Sequence, residues 1–415
     1  MYFNAPRACQ LMDSAGVDVL IATSTVNVTY FTDYFCWMDP LFKDYMTSPG
    51  AADQRAAIYG GFARDGKSCL VVDPFMACNA TDVWVDDLCT FAASGFDLPD
   101  DSPALPPGDR RLYASWQAAA GDESATAALI TWLRQQGLQD ARIGIEMTGL
   151  RPDAQQGLRR ALPGAELKDS SNLIRIIRMV KTAAEIDLLR TAAQISEDAG
   201  MAVLEMVKPG VAIDDVIQRY RELVAARGAD FDHYAYSVRG NGIATRVDYV
   251  FTTGSYHFID YGCIYHGYFS DTGLTLAVGQ PGAELVREYE ALSDCQARAV
   301  AAVRPGTRSS EVANQMHSAL ADAGITGEFP HGHGVGLEIR DYPIIVPDNG
   351  LRIRDDCIDL PSDLPLEQNM VVNLEVGSPQ PGRGSTQFEQ TILITDDGCE
   401  PLIPHDRTEI FVRQG

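Results

Sequence analysis

The stretches Ile259-Asp260-Tyr261-Gly262 and Phe269-Ser270-Asp271-Thr272-Gly273 place two aspartates eleven residues apart on what reads as a pair of strands. Three further acceptors follow. His333 stands in Gly332-His333-Gly334-Val335-Gly336-Leu337, Glu375 in Val372-Asn373-Leu374-Glu375, and Glu389 in Gln387-Phe388-Glu389-Gln390-Thr391. Four carboxylates and one imidazole suit two hard or borderline divalent cations. Their four negative charges balance two dications, and their oxygens favour Mn, Fe, Co or Zn over thiolate-seeking metals.

The chain around these residues repeats itself. Val207-Lys208-Pro209-Gly210 followed by Asp215-Val216 is echoed by Val303-Arg304-Pro305-Gly306 followed by Glu311-Val312. Each copy separates two helical stretches, and each is followed by a strand pair that supplies two carboxylates. The second part of the chain therefore reads as two related halves, and a pseudo-two-fold axis between them would gather the four carboxylates over one curved sheet. Upstream, Thr182-Ala-Ala-Glu185 makes a capping box, and Ile186, Leu189, Ala193 and Ala199 recur at helical spacing until Pro209-Gly210.

The first ~165 residues alternate short apolar strands (Val17–Ala22, Cys69–Val72, Arg142–Glu146) with helices (Ala5–Ala15, Ser124–Gln136, Pro152–Leu162), the pattern of an α/β layer. Pro- and Asp-rich loops such as Asp97–Asp109 lie between them. Neither a Gly-x-Gly-x-x-Gly fingerprint nor a Walker loop is present. The expected division is an N-terminal domain over 1–168 and a C-terminal domain over 169–415.

In order and flanks, the five candidate ligands resemble those of the pita-bread metallopeptidases, the family of methionine aminopeptidase, aminopeptidase P, prolidase and the metal-free creatinase. Asn27-Val-Thr-Tyr-Phe-Thr-Asp33 is similar to a stretch in the N-terminal domains of prolidase, aminopeptidase P and creatinase, although Tyr30 and Phe31 also suit a buried strand. The resemblance implies an α+β fold: a C-terminal pita-bread domain with a pseudo-two-fold repeat, preceded by a smaller creatinase-like α/β domain. It assigns Asp260 as chelator of one metal, Asp271 and Glu389 as bridges, and His333 and Glu375 as holders of the other, with Glu375 as proton shuttle. Two neighbouring cations acidify a water, polarise a carbonyl and hold both in line. The flanking glycines 332, 334 and 336 suit a ligand on a tight loop near other backbone.

The departures from Xaa-Pro peptidases are as informative. Those enzymes carry auxiliary histidines. One lies four residues before the metal histidine, where Phe329 stands here, with His331 the nearest candidate. A second falls where Arg340 stands in Gly336-Leu-Glu-Ile-Arg340-Asp341-Tyr342-Pro343, and a third around Arg246 in Arg239-Gly-Asn-Gly-Ile-Ala-Thr-Arg246. His257 lies three positions before Asp260, hence on the opposite face of a strand. Guanidinium groups suit bidentate capture of a carboxylate. Leu337-Glu-Ile-Arg340 is similar to a substrate-contacting stretch of creatinase, and Arg64 in Gly61-Phe62-Ala-Arg64 is a second candidate contact. An alternative for Arg340 is a surface pair with Asp341 or Glu338.

The expected function is a dinuclear metal-dependent hydrolase cleaving a C–N bond of a small carboxylate-bearing amide or dipeptide. Xaa-Pro dipeptidase is the nearest named activity. A lyase or creatinase-like hydrolase on the same fold is the alternative, and a non-catalytic binder the least favoured. The chain of 415 residues has a formal charge of −24 and a pI near 4.6, which argue against nucleic-acid binding. No apolar run reaches membrane-spanning length, and no signal peptide is read at the N-terminus. The nine cysteines stand singly without a Cys-x-x-Cys pair, which reads as reduced thiols in the cytoplasm. The resemblance further implies a homodimer.

Overall fold

The computed structural model describes residues 1–36, 41, 43–47, 49–50, 57–92, 104–119, 121–325, 330–404 and 409–414. The chain forms two compact units. The first comprises Met1–Arg178 together with Ile353–Leu360, and the second Met179–Arg352 with Pro361–Gly415.

The first unit is a six-stranded mixed sheet in the order Asp87–Cys89, Ser68–Val71, Tyr59–Ala63, Val19–Ala22, Arg142–Ile145, Glu166–Asp169. Local signals set its helices. Ala5–Ala15 starts where the Asn4 side chain accepts from the Arg7 N–H, and stops at Gly16 in the left-handed region, φ +63°. Ala125–Gln135 starts at Ser124, whose side chain accepts from the Ala127 N–H.

The Asn27–Asp33 stretch is not a strand. It lies in a helix, Thr25–Thr32, capped by Ser24. All of Asn27 to Thr32 is buried, polar Asn27, Thr29 and Thr32 included, so polarity does not mark a solvent face and the helical period is hidden. Asn27 donates to Glu146 Oε1 at 2.7 Å and accepts from the buried Arg178 at 2.8 Å, which anchors this helix to the end of the Arg142–Ile145 strand. The helix Ser171–Met179 takes its N-terminal partner from far along the chain: Asp355 Oδ2 accepts from the Asn172 and Leu173 N–H groups, each at 2.8 Å.

The second unit contains the repeat. Helices Ala183–Leu204 and Ile213–Ala225 precede strands Asp230–Val238, Tyr256–Tyr265 and Thr272–Val278. Helices Ala283–Ala302 and Ser309–Asp322 precede strands His331–Gly334, Val371–Gln380 and Gly384–Ile394. The Thr182–Glu185 capping box is formed in both directions. The two Pro-Gly stops have the same geometry: Gly210 and Gly306 both sit at φ +91°, where a side chain would be strained. The Gly210 N–H donates to Phe251 O at 2.9 Å as the Gly306 N–H does to Leu366 O at 2.8 Å, and Ile213 to Tyr249 O matches Ser309 to Leu364 O.

Each half has its own sheet, one running Phe411–Arg413, Thr272–Val278, Tyr256–Tyr265, Asp230–Val238, Asn241–Ala244, the other Asp341–Ile345, His331–Gly334, Val371–Gln380, Gly384–Ile394, Cys399–Pro401. Polar side chains stitch the halves together. Thr275 Oγ1 donates to Gln387 O and accepts from the Gln387 N–H, while Asn373 and Thr391 both donate to Asp271 O.

Candidate active site

Strand alternation aims the first aspartate. In Tyr256–Tyr265, Ile259 and Tyr261 are fully buried, Tyr261 against Tyr220 and Tyr234, so Asp260 points to the other face. His257 shares the buried side with Ile259, packed edge-on to Tyr249 and Phe251 and bonded to Ser237 O, as its spacing from Asp260 predicts. Asp271 lies where the chain enters Thr272–Val278, whose Gly273 pairs with Asp260. In the other half, Glu375 and Glu389 are direct cross-strand neighbours, and His331 pairs with Glu375 from the opposite side.

The acidic residues converge. Asp271 and Glu389 are buried, and Asp260 and Glu375 are half-buried. Like charges set directly opposite on neighbouring strands are destabilising, so an apolar, cation-free role for Glu375 and Glu389 has a cost. Burial, with the Asp260 charge behind it, pushes the Asp271 and Glu389 carboxyls well above the usual range. Burial acts the same way on Glu375, but the hydrogen bond from His331 and the charge of Arg340 outweigh it and hold that carboxyl well below its ordinary value.

His333 is buried. Its Nδ1 lies 3.1 Å from Gly334 O, and since a carbonyl only accepts, Nδ1 carries the proton. Its buried Nε2 lone pair is then left without a hydrogen-bond partner, 3.4 Å from Asp271 Oδ2 and 3.5 Å from Glu375 Oε1. A buried acceptor left unpaired between two carboxylate oxygens fits a divalent cation, and the donor set around it has the right charge and hardness.

Gly332 and Gly334 belong to a strand, His331–Gly334, and not to a loop, whereas Gly336 lies in a bend beyond it. Their need is close approach: a Cβ at Gly332 would lie 2.5 Å from Asn373 O, and one at Gly334 2.2 Å from Tyr342 O.

Arg340 does not pair with Asp341 or Glu338. Its Nη2 donates to Glu375 Oε1 at 2.6 Å and its Nη1 lies 3.0 Å from His331 Nε2, while about half of the side chain stays exposed. His331 Nε2 is 2.7 Å from the same Glu375 oxygen. A carboxylate can only accept, so Nε2–H is donated there and its approach to Arg340 is a packing contact. Arg246 sits exposed on the bend after Asn241–Ala244, with no hydrogen bond or ion pair among the described residues. Arg64 occupies the hairpin turn between Tyr59–Ala63 and Ser68–Val71 and is engaged by Asp13 at 3.1 Å and Asp18 at 2.9 Å. Phe329 lies outside the described residues.

Sequence reasoning missed three groups. His233, on Asp230–Val238, holds Asp260 Oδ1 at 2.9 Å and Asp232 Oδ2 at 2.7 Å; burial works against its charge, but these two carboxylates raise it to about 10. Asn373 and Gln387 donate to the two Glu389 oxygens at 2.7 and 2.6 Å. The signals were present, with Asp232-His233 two residues into a strand and Asn373 and Gln387 each two residues from a glutamate, but only strand register shows where they point.

Paired halves that bring four carboxylates and a buried imidazole together describe a metal-dependent hydrolase. Residues 178–396 match the family described as Metallopeptidase family M24, and residues 6–180 match the Creatinase/Prolidase N-terminal domain. The chain belongs to metallopeptidase family M24 and is a metallohydrolase, a family that implies a divalent metal cofactor. It is similar to an uncharacterized peptidase of Bacillus subtilis, 30% identical over 280 residues that cover 65% of this chain and 75% of that protein. It is also similar to the Xaa-Pro dipeptidase of Pyrococcus furiosus, 30% identical over 249 residues, covering 58% of this chain and 68% of that one. The solved prolidase from Pyrococcus horikoshii superimposes with a TM-score of 0.70 at 22% identity, covering 97% of this chain and 98% of its own, and the X-Pro aminopeptidase from Thermotoga maritima with 0.69 at 18%, covering 99% of each. These likenesses establish the two-domain pita-bread fold.

Among the described residues no helix is long and apolar enough to cross a membrane.

Proposed function

We propose that this chain is a cytoplasmic, homodimeric dipeptidase of Xaa-Pro type that uses two divalent cations (Mn, Fe, Co or Zn) to cleave the C–N bond of a small substrate bearing a carboxylate. One observation carries the reading: Asp271, buried, directs Oδ2 toward the unpaired Nε2 of His333 while its backbone carbonyl is fixed by Asn373 and Thr391. That is how a shared ligand between two cations would be held. Asp260 would hold one cation, His333 and Glu375 the other, and Asp271 and Glu389 both. When bound, such a pair supplies Lewis acidity toward water and a carbonyl.

The protein's own groups do the rest. Glu375, kept ionised by His331 and Arg340, is placed to accept a proton and deliver it to the leaving nitrogen. With about half of its side chain exposed, Arg340 would offer N–H donors to a substrate carboxylate, a role that its fork geometry suits. Asn373 and Gln387 leave Glu389 no freedom to turn away. The similarity to dipeptidases in sequence supports a dipeptide as the substrate class.

The test is a metal-reconstituted protein, with Mn or Co, offered Ala-Pro and Leu-Pro, reading amine release and olefin formation separately. Amine release that requires metal is expected. Arg340, with Nη2 engaged by Glu375, does not place its donors as an auxiliary histidine would, and an oxyanion donor lost from its position costs ~10²–10³ in rate, so turnover should fall well below ~10² per second. Olefin formation without amine release would replace the hydrolase by a lyase.

A further inference from the structure

We propose that His233 is itself a metal ligand, binding through Nε2 to the cation gripped by Asp260 and Asp271, with Asp232 as the carboxylate that orients its ring. The inference rests on the two-cation reading above and adds a second imidazole to the site.

Three observations carry it. The first is spacing. Two ligand atoms on one cation, each about 2.1 Å from it, lie roughly 3.0–3.5 Å apart in octahedral or tetrahedral geometry. His233 Nε2 lies 2.9 Å from Asp260 Oδ1 and 3.6 Å from Asp271 Oδ1. The corresponding separations for His333 are 3.4 Å to Asp271 Oδ2 and 3.5 Å to Glu375 Oε1. Asp271 thus turns one oxygen to each histidine, and each histidine shares its cation position with one further carboxylate. Among the described residues, His233, Asp260 and Asp271 form a group whose ligand atoms lie within 4.8 Å of one another.

The second observation is the backbone device that aims the ring. The ladder between Asp230–Val238 and Tyr256–Tyr265 shifts register between Phe231 and His233, a bulge at Asp232. Bulges redirect side chains and concentrate beside active sites. Room for the ring is made by Gly262, where a Cβ would stand 2.5 Å from His233 Cε1 and 2.9 Å from its Nδ1. The Gly262 of the opening stretch is therefore the floor beneath this imidazole.

The third is Asp232, 2.7 Å from His233 Nδ1. A metal-bound histidine commonly donates its other ring N–H to a carboxylate, which fixes the tautomer and raises its basicity. His333 does the same with Gly334 O.

Cobalt-substituted protein tests the assignment. In water, each cobalt-bound histidine with Nδ1–H gives one exchangeable, hyperfine-shifted proton resonance. Two are expected in the wild type, one removed by His333→Gln and the other by His233→Gln. Calorimetry should show one of the two Co²⁺ ions bound at least tenfold more weakly in His233→Gln, and Asp232→Asn, which only disturbs the orienting group, should cost about 10- to 100-fold. A single wild-type resonance that survives His233→Gln, with both affinities unchanged, would leave His233 as a hydrogen-bond donor to Asp260 and overturn the proposal. The wild-type count decides the matter even if a variant misfolds, which near-UV circular dichroism of metal-stripped protein would show. Absence of Co²⁺ binding to the wild type would overturn the two-cation reading itself, whereas binding with one exchangeable signal overturns only the role of His233.

Discussion

Glu375 and Arg340 share a hydrogen bond of 2.6 Å, and the same carboxylate oxygen receives His331 at 2.7 Å. The guanidinium therefore touches the residue proposed as proton shuttle while about half of its side chain stays exposed. Its removal should have two separable effects. Arg340→Met is expected to raise KM for an acid substrate ten- to a hundredfold, the equivalent of the ~1.5–3 kcal/mol of a charge-assisted hydrogen bond. The matching amide substrate should show little change in KM. Both substrates should lose some kcat, since Glu375 loses a partner. Steady-state kinetics on an acid and amide pair decides this, and equal KM changes for the two would deny Arg340 any part in carboxylate recognition.

Asp271→Ala should lose both cations, because each oxygen of that carboxylate faces a different histidine. Asp260→Ala, by contrast, should retain one. Elemental analysis of purified protein reads the number per chain; full occupancy in Asp271→Ala would contradict the bridging role.

Gly273→Ala should damage the site without touching the fold. A Cβ there would lie 2.3 Å from Glu389 Oε2 and 2.7 Å from Gln387 Nε2, while one at Gly398 would meet nothing within 4 Å. Metal affinity is expected to fall at least about tenfold in Gly273→Ala and to stay unchanged in Gly398→Ala. Calorimetric titration of the two variants makes the comparison, and equal affinities would show that Glu389 has room to move.

Glu185 supplies a pH dependence away from the candidate ligands. Burial lifts its carboxyl to about 7, with Lys181 and the Thr182 cap opposing. A folded-state value above the ordinary 4.5 means that the folded protein holds the proton more tightly than the unfolded chain does. Stability from this group is then full below pH ~4.5, falls as pH rises to ~7 and is level above. Glu185→Gln keeps the capping box but cannot ionise. Relative to wild type, it should gain stability between pH 5 and 8, by up to about 3 kcal/mol. Denaturant unfolding at both pH values measures the difference; parallel profiles would refute the assignment.

The sequence announced some of these relationships and hid others for definite physical reasons. The repeated Pro-Gly pairs were legible because a turn with positive φ favours glycine, and both glycines adopt φ +91° in the turns that follow the helix ends at Leu204 and Ala302. Arg340 was legible as a neighbour of the candidate centre through its short distance in sequence from His333. His233 was not, because its place depends on a one-residue bulge that changes register, and register is a property of strand pairs. The Thr25–Thr32 helix was obscured by its own burial, which erased the polar face that reveals helical period. Arg64, before Asp-Gly, is in a hairpin turn held by Asp13 and Asp18.

The partnership of Asp355 with the start of the Ser171–Met179 helix has a temporal meaning as well. Residues Ile353–Leu360 belong to the first unit although nearly half of the chain separates them from the rest of it. During synthesis at ~5–20 residues per second, the Asn172 and Leu173 amides must wait roughly ten to forty seconds for their carboxylate to leave the ribosome. Until then the helix start is solvated and the unit is incomplete. The last piece of the N-terminal layer is delivered from within the C-terminal half of the chain, so the first unit cannot be finished from its own N-terminal residues alone.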